Sequence, residues 1–399
     1  MPLSPATVAA SLGLAVFTSF VGALPVHAAP RTPGSDAEVL ATVPARRIDP
    51  RAREMAALRA AWRAWPQDEV AAVALAQRYF EQVAADGDPR YIGYAQAVLQ
   101  PWWGLAQPPL AVRVLRAKLL QFDHQFDAAL ADLDAVLAEQ PTLGDAWAWR
   151  VAILMVRARY DEARAGCERL VPLAPPLLGA ACRAQVDAVT GRAAAAAAAL
   201  RSALQRHPDA PAEERLWALT RLAETEERRG AWAAAEAAFR QALALGVPDV
   251  YVQAAYADFL LDRGRAAEVL TLLQGAARAD VLLLRLALAA RATGDTRAPQ
   301  LADELAARFD AARRRGDSSH EKEESRFLLA LRADATRALD LARHNWTVQR
   351  EPADARVLLE AALATRNAAA AAPVLAWMSA SRIESVALDK LAARLKALQ

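Results

Sequence analysis

The two cysteines are the side chains of this sequence best suited to react with each other. Cys167 and Cys182 are the only cysteines, and no CxxC redox motif is present. In an oxidising compartment such a pair is a candidate disulfide. The alternative is two small buried thiols whose side chains point apart. Which of the two applies depends on whether neighbouring elements bring the cysteines together.

Motifs for catalysis, for metal binding and for cofactor binding are absent from the sequence. It contains no Gly-rich phosphate loop, no dinucleotide fingerprint, no GxSxG turn and no HExxH helix. The run from His320 to Glu324 looks superficially like a zinc helix, but it has no second histidine and follows other charged residues. We interpret it as a solvated charge run, and we expect no enzymatic activity, no cofactor and no metal.

The charge balance gives no electrostatic reason to expect nucleic acid as a partner. The 399 residues include 48 Lys and Arg against 46 Asp and Glu, a formal net charge of +2. Nucleic-acid binding usually relies on a clear excess of basic residues that contact phosphates. Only 16 residues are glycine and 55% are hydrophobic, a composition that favours packed helices.

The first 28 residues have the pattern of a secretory signal peptide. Residues 12–24 are apolar and uncharged, and Val26 and Ala28 are small side chains of the kind that signal peptidase accepts. Cleavage near Ala28 leaves a flexible leader over residues 29–50 and a periplasmic or secreted protein with no stable membrane span. The alternative is an uncleaved anchor, because residues 6–24 are just long enough to cross a bilayer.

A repeating pattern of turns and prolines organises the body of the chain. The segment Gln125–Ala129 (QFDAA) recurs as Arg159–Ala163 (RYDEA), and Pro141 recurs as Pro175. The spacing of about 34 residues is that of a helix–turn–helix repeat. Between a turn and the next proline, apolar residues recur at helical spacing, as Leu130, Leu133 and Leu137 do. Each unit is therefore predicted to be a helical hairpin.

These residues resemble the tetratricopeptide repeat family, in an exported bacterial form. The unit over residues 144–177 matches its pattern best, with Trp147, Tyr160, Ala163 and Pro175. The resemblance is clear over residues 110–279 and weaker over the hairpins of 51–109 and 280–399. It implies an all-α, right-handed superhelix (a solenoid) of about eight to nine hairpins, in which stacked neighbours bury a common core. The last residues, from Ser385 onwards, are predicted to form a C-terminal capping helix with one wet face.

The resemblance also implies an inner, concave groove lined by the first helix of each unit. Carried over unit by unit, its inward positions are Lys118, Gln121, Phe122, Trp217, Glu224, Glu227, Arg228, Tyr251, Asp258, Asp262 and Arg291. The stretch from Trp217 to Asp262 is acidic with two aromatic residues, so the expected partner is a basic or neutral segment. Alternatively, these polar residues only solvate an exposed face. The same stacking places Cys167 and Cys182 on touching helices of successive units.

The expected function is therefore that of a non-enzymatic periplasmic scaffold that binds a protein or peptide on its concave face. One alternative is a helical frame subunit of a cell-envelope enzyme or of an export complex. Another is a scaffold anchored in the membrane by an uncleaved signal segment.

Overall fold

The computed structural model describes Ser35, residues 50–316 and residues 320–398. The predicted signal peptide, and the predicted leader apart from Ser35 and Pro50, lie outside the described residues. The chain divides into two compact units, Met1–Pro50 and Arg51–Gln399. Pro50 begins the first helix, and all other described residues except Ser35 belong to the second unit.

The described residues form α-helices and no β-strand, which confirms the predicted all-α fold class. The helices are α1 (Pro50–Ala64), α2 (Glu69–Asp86), α3 (Arg90–Trp103), α4 (Leu110–Phe122), α5 (Phe126–Glu139), α6 (Gly144–Val156), α7 (Tyr160–Leu170), α8 (Pro176–Ala188), α9 (Ala193–Arg206), α10 (Ala212–Arg228), α11 (Trp232–Ala244), α12 (Val250–Asp262), α13 (Ala266–Leu272), α14 (Asp280–Thr293), α15 (Ala298–Arg314), α16 (Glu321–Phe327), α17 (Ala335–Val348), α18 (Pro352–Ala364), α19 (Ala372–Ser381) and α20 (Val386–Lys396). A π-helical turn (Leu328–Arg332) follows α16, and a 3₁₀ turn (Ala368–Ala371) precedes α19.

Consecutive helices from α2 to α15 pack in pairs, so that each even-numbered helix and its successor form one hairpin. The predicted turns at Phe126 and Tyr160 are the first residues of α5 and α7, the second helices of their hairpins. Small residues let the paired backbones approach closely: Ala129, Ala163 and Ala235 are all 0% exposed. The predicted role of these alanines at helix crossings agrees with this burial.

The array curves back on itself, so that its first hairpin meets helices much later in the chain. Helix α2 packs against α12. Gly87, just after α2, has φ +67°, and a Cβ at this position would lie 2.5 Å from the Cβ of Ala279. Only glycine fits both the left-handed backbone and this close approach.

The helices after residue 320 return to the earlier repeats instead of only extending the array. The apolar residues of α17–α20 share one core with α4–α8, whereas Phe327 and Leu328 pack with α14 and α15. The indole Nε1 of Trp377 donates a hydrogen bond to the hydroxyl of Tyr160 (3.0 Å), and the backbone N–H of Arg350 donates to the carbonyl of Val156 (2.8 Å). Helix α20 packs on α18 with Leu388 and Leu395 buried, and most of its other side chains face solvent.

The two cysteines lie on α7 and α8, the second helix of one hairpin and the first helix of the next. The structure joins their sulfurs, and the Cα atoms of Cys167 and Cys182 are 5.7 Å apart, within the usual range for a disulfide. None of the helices in the described part of the chain combines the length and the apolar character that a membrane span requires.

Candidate functional site

The candidate site is the face that the first helices of the hairpins α10–α15 turn towards the returning helices α16–α18. We call it the inner face and define it by Trp217, Glu224, Glu227 and Arg228 on α10 and by Tyr251, Asp258 and Asp262 on α12. Seven of the eleven sequence-predicted groove positions belong to it. The other four, Lys118, Gln121, Phe122 and Arg291, lie elsewhere.

Lys118, on α4, is buried and connects three helices. Its Nζ lies 2.8 Å from Oδ2 of Asp145 on α6 and 3.3 Å from Oε1 of Gln77 on α2. It also lies 5.5 Å from the ring centroid of Trp149. Each of these contacts joins neighbouring hairpins, so the ammonium group of Lys118 is already engaged within the protein.

The remaining three outlying positions also make contacts within the protein or are partly buried. Gln121 and Phe122 are half-buried at the end of α4, and Phe122 packs against the core of the first hairpins. Arg291, on α14, is exposed, and its guanidinium donates a hydrogen bond to the carbonyl of Ala330 in the π-helical turn. None of these three residues belongs to the set that defines the inner face.

Tyr251 is the aromatic residue of the inner face that remains open to solvent, with 51% of its surface exposed. Its hydroxyl donates a hydrogen bond of 2.5 Å to Oε1 of Glu224. The guanidinium carbon of Arg221 lies 4.9 Å from the centroid of the Tyr251 ring, and the same arginine pairs with Glu224 at 3.1 Å. Trp217, one helical turn before Arg221, is half-buried against the repeat core. The ring of Tyr251 is thus held in place while one side stays accessible.

Asp258 binds two arginines from different helices. Its carboxylate accepts hydrogen bonds from Arg285 on α14 (2.6 and 3.1 Å) and from Arg326 on α16 (both 3.0 Å). Burial by itself would raise the pKa of Asp258, but the two guanidinium groups outweigh it and hold the pKa well below its usual range. Asp258 is therefore charged at neutral pH and fixes α16 to the repeats.

Asp262 makes the equivalent contact one turn later. Its Oδ1 accepts a hydrogen bond of 2.7 Å from Arg356 on α18, and the same guanidinium bonds Glu360 at 2.7 Å. Arg326 and Arg356 thus place two basic residues of the returning helices on two acids of the inner face.

Glu227 lies among carboxylates that are already engaged. Burial raises its pKa to about 8, and the nearby charges of Asp262 and Glu224 contribute in the same direction. Glu227 is therefore mostly protonated at neutral pH and adds little negative charge to the inner face.

Arg228 is the one cation among the residues that define the inner face, and it is poorly satisfied. Its Nη2 lies 3.3 Å from the Thr225 hydroxyl, and its buried Nε has no hydrogen-bond partner among the described residues. Burial lowers the pKa of Arg228, against the opposing effect of Glu224.

The run from His320 to Glu324 behaves differently from the predicted solvated charge run. Glu323 and Glu324 are only 8% and 4% exposed. Lys322 Nζ lies 3.7 Å from Asp354 on α18 and 3.9 Å from Glu323. Burial would lower the pKa of Lys322, but these carboxylates reverse the effect and raise it. The missed signal is helical spacing, because each buried glutamate precedes an apolar core residue (Phe327 or Leu328) by four positions.

Within residues 50–316 and 320–398, no group of three or more His, Cys, Asp or Glu side chains is arranged to hold a metal ion. The chemistry that the inner face offers is therefore recognition through ion pairs, hydrogen bonds and one exposed aromatic ring.

Comparison with known proteins gives neither a family nor a close relative. No protein-family model matches the chain, and no curated protein matches it. Among solved structures, it is similar to a chain of the APC/C hetero-tetramer Cut9–Hcn1 (13% identity, TM-score 0.48, 82% of this chain and 63% of that chain covered). It is also similar to the human IFIT1 dimer with m7Gppp-AAAA (12% identity, TM-score 0.43, 87% and 86% covered). A third is the P58(IPK) TPR domain (13% identity, TM-score 0.25, 73% and 99% covered).

Proposed function

We propose that the protein is an exported, non-enzymatic scaffold that binds a basic or neutral segment of a protein partner on its inner face. The observation that carries the proposal is that Asp258 and Asp262 each bind an arginine of the chain's own helices α16 and α18. The inner face therefore already has the geometry to hold basic residues presented on a helix. Carboxylate–guanidinium bonds of this kind are among the stronger and more directional polar contacts in proteins.

The part of the inner face that remains for a partner is centred on Tyr251. Half of its surface is exposed, and its ring orientation is fixed by Arg221 and Glu224. An immobilised aromatic ring loses little conformational entropy on binding, which is one reason why tyrosines are common anchors at interfaces. Trp217 is a less suitable anchor because it packs against the core.

Export of the protein is supported by the signal-peptide pattern of the first 28 residues and by the Cys167–Cys182 pair. Disulfides persist mainly in oxidising compartments such as the bacterial periplasm. N-terminal sequencing of the mature protein tests this part of the proposal. A start near Ala29 supports export, and a retained N-terminus supports the membrane-anchored alternative.

Binding on the inner face is tested by placing a photo-crosslinking amino acid at position 251 in the native host. The captured partner is then purified and titrated against the wild-type protein and Tyr251→Ala. We expect the variant to weaken binding by about tenfold or more, with unchanged helix content, because interface anchors commonly contribute about 2 kcal/mol or more. The matched control is Tyr94→Ala on α3, a tyrosine with 47% of its surface exposed, and it should bind as the wild type does.

The proposal also specifies the character of the partner. The crosslinked segment should carry no net negative charge, and raising the salt concentration should weaken its binding. A folded Tyr251→Ala variant that binds the captured partner normally would end the proposal for this face. An acidic crosslinked segment would contradict the predicted charge of the partner.

A further inference from the structure

A cleft lies among the returning helices, and none of its lining residues belongs to the inner face. Its volume is about 500 Å³, within the range of small-molecule sites. It is bounded by α17, the middle of α18, the 3₁₀ turn and α19. The lining residues are Asp340, Arg343, His344, Trp346, Thr347, Arg350, Leu358, Ala370, Pro373 and Trp377.

The floor of the cleft is aromatic and rigid. Trp346 and Trp377 are buried and meet edge to face, with ring centroids 5.4 Å apart. The indole N–H of Trp377 is bonded to the Tyr160 hydroxyl beneath the cleft. The indole N–H of Trp346 makes no hydrogen bond to any residue that the structure describes. Its nitrogen atom keeps some access to solvent, although the side chain as a whole is buried. The floor thus combines flat apolar surface with one available donor.

The rim of the cleft carries two arginines that lack an acidic partner. Arg343 makes no ion pair or hydrogen bond within the described part of the chain, and the Nε of Arg350 is only 3.4 Å from the carbonyl of Trp346. Other arginines of these helices are paired, as Arg337 is with Glu324 and Arg356 is with Asp262. Two guanidinium groups therefore face the cleft with their charge uncompensated by a direct contact.

The other polar groups of the rim leave the cleft open to an anion. His344 is oriented by Glu321, whose Oε2 lies 2.6 Å from Nδ1 of the imidazole. The hydroxyl of Thr347 donates a hydrogen bond to the carbonyl oxygen of His344. Asp340 is the single carboxylate among the lining residues. Apart from His344, the lining carries two positive charges, on Arg343 and Arg350, against the one negative charge of Asp340.

We propose that this cleft binds a small aromatic carboxylate. The ring of such a ligand would lie on the indole floor, and its carboxylate would bond the guanidinium groups of Arg343 and Arg350. Guanidinium groups match carboxylates in geometry, and aromatic surfaces gain from contact with a flat ligand. A neutral aromatic molecule would leave both arginines without their bond, and a small inorganic anion would leave the indole floor uncovered.

Isothermal titration calorimetry of the full chain with 2-naphthoate tests the proposal. 2-Naphthamide has the same ring without the charge, and acetate has the charge without the ring. We expect 2-naphthoate to bind at least about tenfold more tightly than either, since one charge-assisted bond contributes about that factor. A tripeptide that ends in a tryptophan carboxylate is a fourth probe. If it binds more tightly than 2-naphthoate, the assignment to a free acid is wrong and a chain terminus is the ligand.

The double variant Arg343→Ala/Arg350→Ala locates the binding. Because neither guanidinium makes an ion pair in the described residues, the variant should keep the wild-type melting curve while 2-naphthoate binding falls about tenfold or more. The matched control is Arg169→Ala/Arg206→Ala, which removes the same charge from exposed positions on α7 and α9. It should bind 2-naphthoate as the wild type does.

Three results would overturn the proposal. They are equal affinity for 2-naphthoate and 2-naphthamide, unchanged binding by the folded arginine double variant, and absence of 2-naphthoate binding at millimolar concentration. Tyr251→Ala should leave 2-naphthoate binding unchanged, so failure at the cleft and failure at the inner face are independent.

Discussion

Asp258 connects three helices through one carboxylate, so its replacement tests the ion pairs of the inner face most directly. Asp258→Asn leaves Arg285 and Arg326 without their shared negative charge. We expect the free energy of unfolding at pH 7 to fall by about 2–3 kcal/mol, somewhat less than for a fully buried pair, because Asp258 and Arg326 are partly exposed. The control Asp303→Asn breaks an exposed pair with Arg332 and should lower the free energy of unfolding by less than about 1 kcal/mol. Urea titrations measure both, and equal losses would contradict the prediction.

The depressed pKa of Asp258 also predicts the pH dependence of this effect. A carboxyl group whose pKa is lower in the folded state stabilises the fold above its ordinary pKa of 3.8. That stabilisation is lost as the pH falls towards the folded-state pKa. The difference between wild type and Asp258→Asn should therefore shrink below about pH 4.

Glu227 should show the opposite behaviour, because its pKa is raised from 4.5 to about 8. Between these values the folded protein holds a proton that the unfolded chain releases, so ionisation of Glu227 weakens the fold as the pH rises. Glu227→Gln should be more stable than the wild type by about 2 kcal/mol at pH 9 and equally stable at pH 4. Thermal melts at the two pH values measure this, and a pH-independent difference would refute it.

The sequence could place the acids of the inner face but not their partners. Helical spacing puts Asp258 and Asp262 on one side of α12, one turn apart. Their arginines, Arg326 and Arg356, are 68 and 94 positions away in sequence. No local pattern specifies such a pairing. For the same reason the negative field that the sequence suggested is weaker in the fold, where these acids are paired and Glu227 is mostly neutral.

At the scale of elements, Gly87 controls the contact between the first hairpin and α14. Gly87→Ala adds a methyl group 2.5 Å from the Cβ of Ala279 at a backbone φ of +67°. We expect the free energy of unfolding to fall by about 3 kcal/mol, from overpacking and left-handed strain together. The matched control is Gly264→Ala, with φ +72° and open space around the added methyl group.

In Gly264→Ala the added methyl group meets no neighbour, so only the strain of the left-handed backbone lowers the free energy of unfolding, by about 1 kcal/mol. Chemical denaturation compares the two variants. Equal losses would mean that the contact between Gly87 and Ala279 contributes nothing to stability.

The link between α7 and α8 is the second element-scale test. Cys167→Ser/Cys182→Ser should lower the free energy of unfolding by about 2–3 kcal/mol, because the cross-link restricts the unfolded chain. Dithiothreitol should lower the stability of the wild type by a similar amount and leave the variant unchanged. A reductant effect in the double variant, or none in the wild type, would contradict the bridge.

The hairpins themselves were predictable because their signals are local. The repeated segments that begin at Gln125 and Arg159 contain the turns that precede α5 and α7. The prolines that follow them, Pro141 and Pro175, lie in the turns after these two helices. The return of α16–α20 was not predictable, because it depends on contacts such as Trp377 with Tyr160, which are 217 positions apart. A local repeat pattern specifies each hairpin and its nearest neighbour, but not what covers the face that the stack leaves open.

At the scale of the second unit, the returning helices change what is expected of its unfolding. In an open array each repeat contacts only its neighbours, so terminal repeats can unfold separately. Here α18 is joined to α12 by Arg356 and Asp262, and α19 to α7 by Trp377 and Tyr160. Separate unfolding of the last helices would expose the buried Trp346 and Trp377 and would leave Asp262 on α12 without Arg356. The repeats from α6 to α12 and the helices α17–α20 should therefore unfold as one cooperative unit.

Native-state hydrogen exchange measures this cooperativity directly. The slowest amides of α12 and α18 should report the same free energy of opening in the wild type, because both helices open in one event. Arg356→Met should lower both values by the same amount, about 2 kcal/mol, since it leaves Asp262 without its partner. Arg183→Met, which breaks an exposed pair with Glu168, should change neither by more than about 0.5 kcal/mol. If α18 opens at a much lower free energy than α12, the returning helices form a separate unit. In that case α18 would leave the inner face in a minor state, and Asp262 would become available to a basic partner.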